Sequence, residues 1–195
     1  MTRIVAGRWG GRQLSVPRTG VRPTSDRVRE SMFSWLDHRL GGEWTGLGVL
    51  DLYSGSGALA FEAVSRGADR AALVERDRAT LSTIRRNIAT LDAAEFVEVQ
   101  AGVALAVAAR TPPFACDLVF ADPPYDVPSE QVASVLAAFD ANGWIHPGAL
   151  VIVETSRRAT SPWPEGMTPL QRRAYGDTAV WYGRRHTSAS GDEED

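Results

Sequence analysis

The chain has 195 residues, 44% of them hydrophobic, which is enough to bury the core of one domain. Its single cysteine excludes an internal disulfide and any multi-cysteine metal site, and its three histidines show no metal-ligand spacing. No apolar run is long enough to cross a bilayer, and the Arg-containing start lacks the apolar segment of a signal peptide, so we expect a cytoplasmic protein.

The net charge of −3 conceals a segregation of charge along the chain. Residues 1–40 carry eight arginines against three acids, and residues 157–185 carry six arginines against two acids. Residues 41–156 carry fifteen acids against seven arginines. A basic N-terminal segment on an acidic body favours binding of a polyanion by that segment, with a merely solvated charged arm as the alternative.

The first forty residues predict a hairpin followed by a helix. The sequence RIVAGRWGGRQLSVP, residues 3–17, predicts two short strands around a Trp-Gly-Gly turn. Residues 24–40 predict a helix that Ser25 can cap. The apolar stripe of this helix consists of Val28, Met32, Leu36 and Leu40.

Strands and helices alternate from residue 47 onward. Apolar runs predict strands at 47–53, 70–75, 95–100, 116–121 and 149–156. Helices are predicted between them at 57–66, along the stripe from Leu81 to Leu91, at 103–110 and at 129–141. Strands that are apolar on both faces and separated by helices indicate a mostly parallel, doubly wound α/β sheet. Residues 168–185 predict an antiparallel hairpin with a Gly-Asp turn at the edge of that sheet.

These elements divide the chain into three parts. We expect a basic N-terminal β-hairpin arm at residues 1–20, one domain at residues 21–186 and a disordered acidic tail at residues 187–195. Because the arm precedes the alternating pattern, we expect that removing it leaves a folded domain.

Three groups of polar residues fall at predicted strand ends, where doubly wound sheets bind ligands. Gly55 and Gly57 follow the first strand of the sheet and allow a tight turn, and Asp51 adds a carboxylate beside them. Glu75 ends the next strand and suits a ribose diol. A plain turn and an ordinary exposed acid are the alternatives. The pair fits NAD and S-adenosylmethionine alike, but an acid beside the glycine loop disfavours a pyrophosphate and so favours S-adenosylmethionine.

The third group is Asp122-Pro123-Pro124-Tyr125. With the Asp51–Gly57 loop and Glu75 it resembles the Rossmann-like class I S-adenosylmethionine-dependent methyltransferases that act on exocyclic amino groups. The resemblance implies that the Asp122 carboxylate and the Pro123 carbonyl accept hydrogen bonds from the two N–H groups of the amine and so direct its lone pair at the methyl group. The prolines fix φ without adding a donor, and Tyr125 offers a stacking face worth about 1–3 kcal/mol. A rigid turn is the alternative.

A narrower resemblance covers residues 3 to about 185. The sequence RIVAGRWGGRQLSVP, followed by RPTSDRVRESMFSWL at residues 22–36, is similar to the RsmD-type enzymes. These enzymes methylate the exocyclic N2 amine of a guanine in 16S ribosomal RNA. The resemblance therefore implies guanine rather than adenine as the target, a choice that the Asp-Pro-Pro-Tyr loop does not make.

The resemblance also implies two sets of binding residues. At the cofactor site we expect Asp51, Tyr53, Gly55, Gly57, Glu75, Arg76, Ala101, Gly102, Arg22 and Thr24. At the RNA surface we expect Arg3, Arg8, Arg12 and Trp9, with core packing as the alternative for Trp9. The family has a polar Asp or Asn where this chain has Ala101-Gly102, so adenine recognition falls to backbone groups or Gln100.

Four other functions are alternatives. A DNA adenine amino methyltransferase shares the loop but usually carries a target-recognition insertion, and a protein-glutamine methyltransferase prefers Asn at position 122. A catalytically silent RNA-binding assembly factor and an NAD oxidoreductase are the others. We expect an enzyme that needs no metal or membrane and acts as a monomer on an unpaired guanine, in an assembled or partly assembled small subunit.

Overall fold

The computed structural model describes residues 2–17 and 26–187. Its N-terminal part is a short antiparallel ladder of β1 (Thr2–Arg3) and β2 (Gln13–Leu14), joined through a 3₁₀ turn at Gly7–Trp9. The predicted hairpin is therefore confirmed. The helix α1 follows at Asp26–Leu40 and buries Val28, Met32 and Leu36 of the predicted stripe, while Leu40 is half-buried. Its expected cap, Ser25, lies outside the described residues.

The rest of the chain alternates as predicted. The elements are β3 (Gly48–Leu52), α2 (Ala58–Arg66), β4 (Arg70–Glu75), α3 (Arg78–Leu91), β5 (Val97–Ala101), α4 (Ala104–Ala108), β6 (Cys116–Ala121), α5 (Ser129–Ala141), β7 (Ile145–Ser156), β8 (Met167–Tyr175) and β9 (Thr178–Arg185). Only β7 differs by more than two residues at a boundary. It begins at Ile145 because that residue pairs with Cys116 ahead of a register shift, so the His-Pro-Gly stretch belongs to the strand.

Seven strands form one sheet in the order β5-β4-β3-β6-β7-β9-β8. The first five are parallel to one another, and β9 inserts antiparallel between β7 and the edge strand β8. The sheet is therefore mostly parallel and doubly wound, with an antiparallel C-terminal hairpin, and the predicted fold class is confirmed.

Each face of the sheet carries its own hydrophobic core. On one face, α1, α2, α3 and the N-terminal hairpin cover side chains such as Val49, Leu73 and Phe120. On the other face, α4 and α5 cover Leu50, Val74 and Val119. Because successive residues of a strand point to opposite faces, every buried strand must be apolar throughout, which explains the uninterrupted apolar runs in the sequence.

The N-terminal hairpin is part of the first core rather than an appendage. Ile4, Trp9 and Leu14 are buried there. The fully buried Glu62 of α2 accepts hydrogen bonds from the backbone N–H groups of Val5 and Ala6, at 2.6 and 3.1 Å. From these contacts we expect removal of residues 1–20 to destabilise the domain, in contrast to the expectation from the sequence that a folded domain remains. The physical reason is that removal would expose apolar side chains and leave a buried carboxylate without two of its donors.

Across the described ranges, no helix has both the length and the apolar character needed to cross a bilayer.

Candidate active site at the carboxyl edge of the sheet

The strand register brings the predicted site residues into one row. Leu52 of β3 is level with Val74 of β4 and Ala121 of β6. One residue further along, Tyr53 stands between Glu75 and Asp122, and Glu75 is level with Ala101 of β5. Residues that are far apart in the sequence therefore meet at the carboxyl edge, as the doubly wound architecture requires.

Asp51 is the most deeply buried of these side chains, with 1% of its surface exposed. Its carboxylate accepts the backbone N–H of Ala60, in the first turn of α2, at 3.2 Å. Burial raises the pKa of Asp51 well above its ordinary value; the Ala60 hydrogen bond opposes the rise, and the negative charges of Asp122 and Glu75 add to it. Three carboxylates therefore act on one another at this edge.

The loop after β3 is held in an unusual backbone conformation. Tyr53, Gly55 and Gly57 all have positive φ, at 62°, 56° and 79°. At Gly57 no side chain fits, because a Cβ would lie 2.6 Å from the Phe61 ring and 2.8 Å from Leu73. For Tyr53 the conformation costs on the order of 1–3 kcal/mol, and such strain concentrates at functional sites. This constrained conformation lets the backbone of the loop lie close to a ligand bound over the end of β3.

Glu75 joins this loop to the start of α3. Its carboxylate accepts the N–H groups of Gly55 at 3.1 Å, Arg76 at 2.7 Å and Asp77 at 2.8 Å. A carboxylate has about four acceptor positions, so a ribose diol gripped by both oxygens would have to share them with these backbone donors. Burial raises the pKa of Tyr53, and the positive charge of the exposed Arg76 partly opposes that rise.

The end of β5 contains a contact that the sequence did not indicate. Arg110, which follows α4, donates to the carbonyl of Ala101 at 3.0 Å and to the side chain of Gln100 at 3.4 Å. Gly102 has a φ of 152° and donates its N–H to the Glu75 carbonyl at 2.9 Å. Several groups that were expected to hold an adenine are thus already engaged within the protein. Arg110 reaches the end of β5 because α4 is short, and no sequence motif predicts that length.

Hydrogen bonds hold both ends of the Asp-Pro-Pro-Tyr loop in place. Asp122 donates its N–H to the Leu52 carbonyl at 3.4 Å, and the Pro124 carbonyl accepts the N–H of Val127 at 3.0 Å, which closes a turn. The Tyr125 hydroxyl lies 2.6 Å from the Thr178 hydroxyl of β9. The Tyr125 side chain stays 41% exposed, so its ring is both fixed and accessible.

Glu154 of β7 is a second residue that the sequence reasoning missed. Val153 is level with Ala121, so Glu154 comes level with Asp122 on the neighbouring strand. It is 5% exposed. A buried acid inside the apolar stretch of a predicted central strand was the available signal.

The N-terminal arginines lie in different places. The guanidinium of Arg8 is 4.5 Å from the ring centre of Phe96, the residue before β5, and Arg12 donates to the carbonyl of Thr90 near the end of α3, at 3.1 Å. Both contacts are at the amino edge, about 17 Å from the catalytic edge at about 3.3 Å per strand residue. The exposed Arg3 is closer to the catalytic edge, because its carbonyl accepts from Arg29 in the first turns of α1.

Trp9 does not present a stacking surface. It is 7% exposed and packs edge-on against Phe96, with ring centres 6.1 Å apart. The structure therefore corrects the expectation that Trp9 binds RNA: the residue has the packing role given as the alternative. Arg22 and Thr24, expected at the cofactor, lie outside the described residues. Within the described part of the chain, no cluster of three or more His, Cys, Asp or Glu side chains could hold a metal ion.

The sheet order, the glycine loop and the loop after β6 define a Rossmann-like class I methyltransferase. Residues 2–184 match the family model described as conserved hypothetical protein 95. The chain is 36% identical over 180 residues to ribosomal RNA small subunit methyltransferase D of Haemophilus influenzae, covering 89% of each chain. The solved protein yhhF of Escherichia coli superposes with a TM-score of 0.81 at 34% identity, covering 96% of this chain and 99% of that one. This chain therefore belongs to the conserved hypothetical protein 95 family, the RsmD-type methyltransferases.

A more distant structure shares the fold alone. It is an RNA methyltransferase from Salinibacter ruber in complex with S-adenosyl-L-homocysteine, with a TM-score of 0.62 at 18% identity, covering 89% of this chain and 100% of that one.

S-adenosylmethionine, the methyl donor of this class, suits the charges of the site. Its sulfonium and ammonium groups are positive, and Asp51 is a buried carboxyl whose pKa is raised by burial and by the negative charges of Asp122 and Glu75. A cationic ligand opposes that rise. An anionic pyrophosphate would add to it.

Proposed function

We propose that this protein transfers a methyl group from S-adenosylmethionine to the exocyclic N2 amine of a guanine in the 16S ribosomal RNA of the small subunit. The observation that carries the proposal is the position of Asp122. Its carboxylate acts electrostatically on Asp51, and its backbone is bonded to the strand end that starts the glycine loop. An acceptor for the amine thus stands beside the residues proposed to hold the donor.

The substrate class rests on the family. The relative from Haemophilus influenzae is named for the small ribosomal subunit RNA, and the similarity covers the N-terminal hairpin as well as the sheet. By this proposal the enzyme acts on an assembled or partly assembled subunit as a monomer, and its substrate places it in the cytoplasm.

The main task of the protein in this reaction is to align the target amine with the methyl donor. Bound S-adenosylmethionine supplies an electrophilic methyl group on a good leaving group. The exocyclic amine is a weak nucleophile because its lone pair is delocalised into the ring. Hydrogen bonds from its two N–H groups to the Asp122 carboxylate and the Pro123 carbonyl turn the lone pair outward, and the Asp122 carboxylate takes the proton that the amine loses as the new N–C bond forms. Holding the reactants in line accounts for much of the rate.

The loop geometry supports these roles. The Pro124 carbonyl is used in the turn to Val127, while the prolines add no N–H donor that would compete with the amine. The Tyr125 ring, fixed through Thr178, offers its face to the target base. Because the amine of a paired guanine is hydrogen-bonded, the base must be unpaired or flipped to reach this loop.

The cofactor residues keep the roles expected from the sequence. Asp51, Gly55 and Gly57 are proposed to hold the amino-acid end, and Glu75 the ribose. Tyr53, Arg76, Ala101 and Gly102 are proposed to line the rest, and Arg22 and Thr24, which lie outside the described residues, keep the cofactor role that the resemblance implies. Arg3 is proposed to contact RNA near the site, whereas Arg8 and Arg12 can reach only the outer part of a large substrate.

The test offers labelled S-adenosylmethionine and purified enzyme to three substrates: unmodified small subunits, naked 16S ribosomal RNA and duplex DNA. We expect label in N2-methylguanine, with small subunits or their RNA as acceptor and none in DNA. Nucleoside mass spectrometry identifies the product. Label in methyladenine, or in DNA only, would favour the adenine-specific alternative, and no label in any acceptor would favour a silent assembly factor.

A further inference from the structure

Four arginines lie at one end of the C-terminal hairpin, at the carboxyl edge of the sheet. Arg157 and Arg158 directly follow the carboxyl end of β7, and Arg172 and Arg173 lie near the end of β8. Because β8 and β9 pair antiparallel around the Gly176–Asp177 turn, that end of the hairpin stands at the carboxyl edge of the sheet. We call these four residues the C-terminal arginine cluster.

The strand register fixes the distance of this cluster from the reacting centre. Asp122 comes level with Glu154, Glu154 pairs with Val180, and Val180 pairs with Arg173. Three strand spacings therefore separate β6 from β8, or about 14 Å at about 4.8 Å each. The arginines lie beyond the catalytic loop, within reach of nucleotides that flank a base held on Tyr125.

Backbone contacts hold the cluster in place. Arg157 donates its N–H to the Asp177 carbonyl at 2.7 Å, and Arg172 donates to the Arg157 carbonyl at 2.7 Å. The Arg172 guanidinium also lies 4.8 Å from the ring centre of Trp181. The same hairpin end anchors the Tyr125 hydroxyl through Thr178, so catalytic loop and cluster are fixed relative to each other.

The charges of the cluster are directed outward. Among residues 2–17 and 26–187, none of its four members forms an ion pair, in contrast to Arg66 and Arg185, which bind carboxylates. Arg157, Arg158 and Arg172 are exposed, and Arg173 is half-buried beside Ser31. The acids that the register places near the cluster are Asp177 in the turn and the buried Glu154, which pairs with Val180 opposite Arg173. Four arginines against two acids leave this surface positive on a chain whose net charge is −3.

Two of the N-terminal arginines, Arg8 and Arg12, lie too far from the catalytic edge to bind the same segment of RNA. Arg8 and Arg12 stand at the amino edge of the sheet, with their guanidinium groups on Phe96 and on the Thr90 carbonyl. A strand that enters the active site would have to cross the length of the sheet to meet them.

We propose that the C-terminal arginine cluster binds the phosphates of the RNA strand that flanks the target base. This assignment rests on the proposed function, because it takes the polyanion at this edge to be the substrate RNA. Guanidinium groups match phosphate oxygens through their planar, forked donors.

The experiment compares two double variants with the wild type. Arg158→Gln with Arg172→Gln removes two exposed charges from the cluster. Arg85→Gln with Arg86→Gln removes two exposed charges from α3, at the other end of the sheet, as a matched control. Binding of a fluorescent RNA hairpin of small-subunit sequence, with an unpaired guanine in its loop, is measured against salt concentration. Melting temperature and cofactor affinity are measured in parallel, as is the KM for unmodified small subunits.

We expect the cluster variant to lose about 1.4 from the slope of log affinity against log salt, at about 0.7 for each single-strand phosphate contact. Its KM should rise while kcat, cofactor affinity and melting temperature stay near wild type. The control should keep its slope and its KM. Slopes that fall equally in both variants, or in neither, would overturn the assignment. Absence of methyl transfer by the wild-type enzyme would instead refute the proposed function. The salt slopes would then still show whether the C-terminal arginine cluster binds RNA.

Discussion

At the scale of single residues, Asp51 is the clearest conflict between stability and function. It is buried at a strand end, and its pKa is raised by that burial and by the charges of Asp122 and Glu75. A carboxyl whose pKa is higher in the folded than in the unfolded protein stabilises the fold only while it is protonated. That contribution is complete below the unfolded pKa and is lost as pH rises through the folded value. As pH rises through the folded pKa, the buried Asp51 carboxylate therefore increasingly destabilises the ligand-free protein.

We expect Asp51→Asn to make the ligand-free protein more stable at neutral pH, with a smaller gain in acid. The amide oxygen can still accept from Ala60, but the buried charge is gone. Affinity for S-adenosylmethionine should fall by about 1.5–3 kcal/mol, the worth of a hydrogen bond to a charged group. Chemical denaturation at two pH values and titration calorimetry measure both effects.

Asp77→Asn is the control with the opposite sign. The Asp77 carboxylate caps α3 by accepting from Thr80, and its pKa is lowered by that bond. Its contribution to stability is present above the unfolded pKa and lost as pH falls through the folded one, so this variant should be less stable at neutral pH. A destabilised Asp51→Asn protein with unchanged affinity would remove Asp51 from the cofactor site.

Asp122→Ala should abolish turnover and leave cofactor affinity within a few-fold of wild type. The side chain is proposed to hold the target amine rather than the donor, and its loss should cost roughly 10²–10⁴ in kcat, the range for a positioned proton acceptor. Asp126→Ala, in the same loop but exposed, is the matched control and should leave kcat unchanged. Single-turnover methylation and calorimetry separate the two quantities. A near wild-type rate for Asp122→Ala would refute the aligned-amine mechanism.

At the scale of elements, the N-terminal hairpin is the part whose role differs most from the expectation. Its turn lies against the end of α2: the Trp9 N–H donates to the Ser65 hydroxyl at 2.9 Å. A Cβ on Gly7 would lie 1.7 Å from the Ser65 carbonyl oxygen. The hairpin therefore closes one face of the core, and only its arginines are available for a substrate.

We expect Gly7→Ala to destabilise the protein more than Gly11→Ala. Both glycines have a positive φ, at 80° and 83°, but a Cβ on Gly11 meets nothing within 4 Å. Gly11→Ala should therefore lower the free energy of unfolding by only about 1–2 kcal/mol, the cost of the left-handed conformation. Gly7→Ala adds a backbone clash that forces the hairpin off α2, which should speed hydrogen exchange at Val5 and Ala6. Equal losses of stability would mean that the hairpin does not dock as described.

At the scale of the whole molecule, the two edges of the sheet divide the work. The carboxyl edge carries the glycine loop, Glu75, the catalytic loop and the C-terminal arginine cluster. The amino edge carries ring and capping contacts, among them those of Arg8 and Arg12. Charges that are separated along the chain are thus also separated in space. The acids lie at the centre of the site, and the C-terminal arginine cluster lies at the end of the sheet formed by β8 and β9.

The sequence by itself determined the order of elements and the residues at the strand ends. Periodicity is a local property, and each apolar strand or striped helix reports its own burial. The motifs Asp51–Gly57, Glu75 and Asp122–Tyr125 were readable for the same reason, since each occupies one short segment after one strand. The fold class followed from alternation alone, and only the start of β7 was misplaced, where a pairing with β6 overrides a turn-like sequence.

The tertiary structure alone decided which residues share a surface. Arg110 meets Ala101, Glu154 comes level with Asp122, and Thr178 meets Tyr125 across separations that no local pattern encodes. It also assigned Trp9 to the core and moved two of the N-terminal arginines away from the catalytic edge. Contacts between distant segments depend on strand order and register, which are set by how all the apolar faces pack together and not by any one of them.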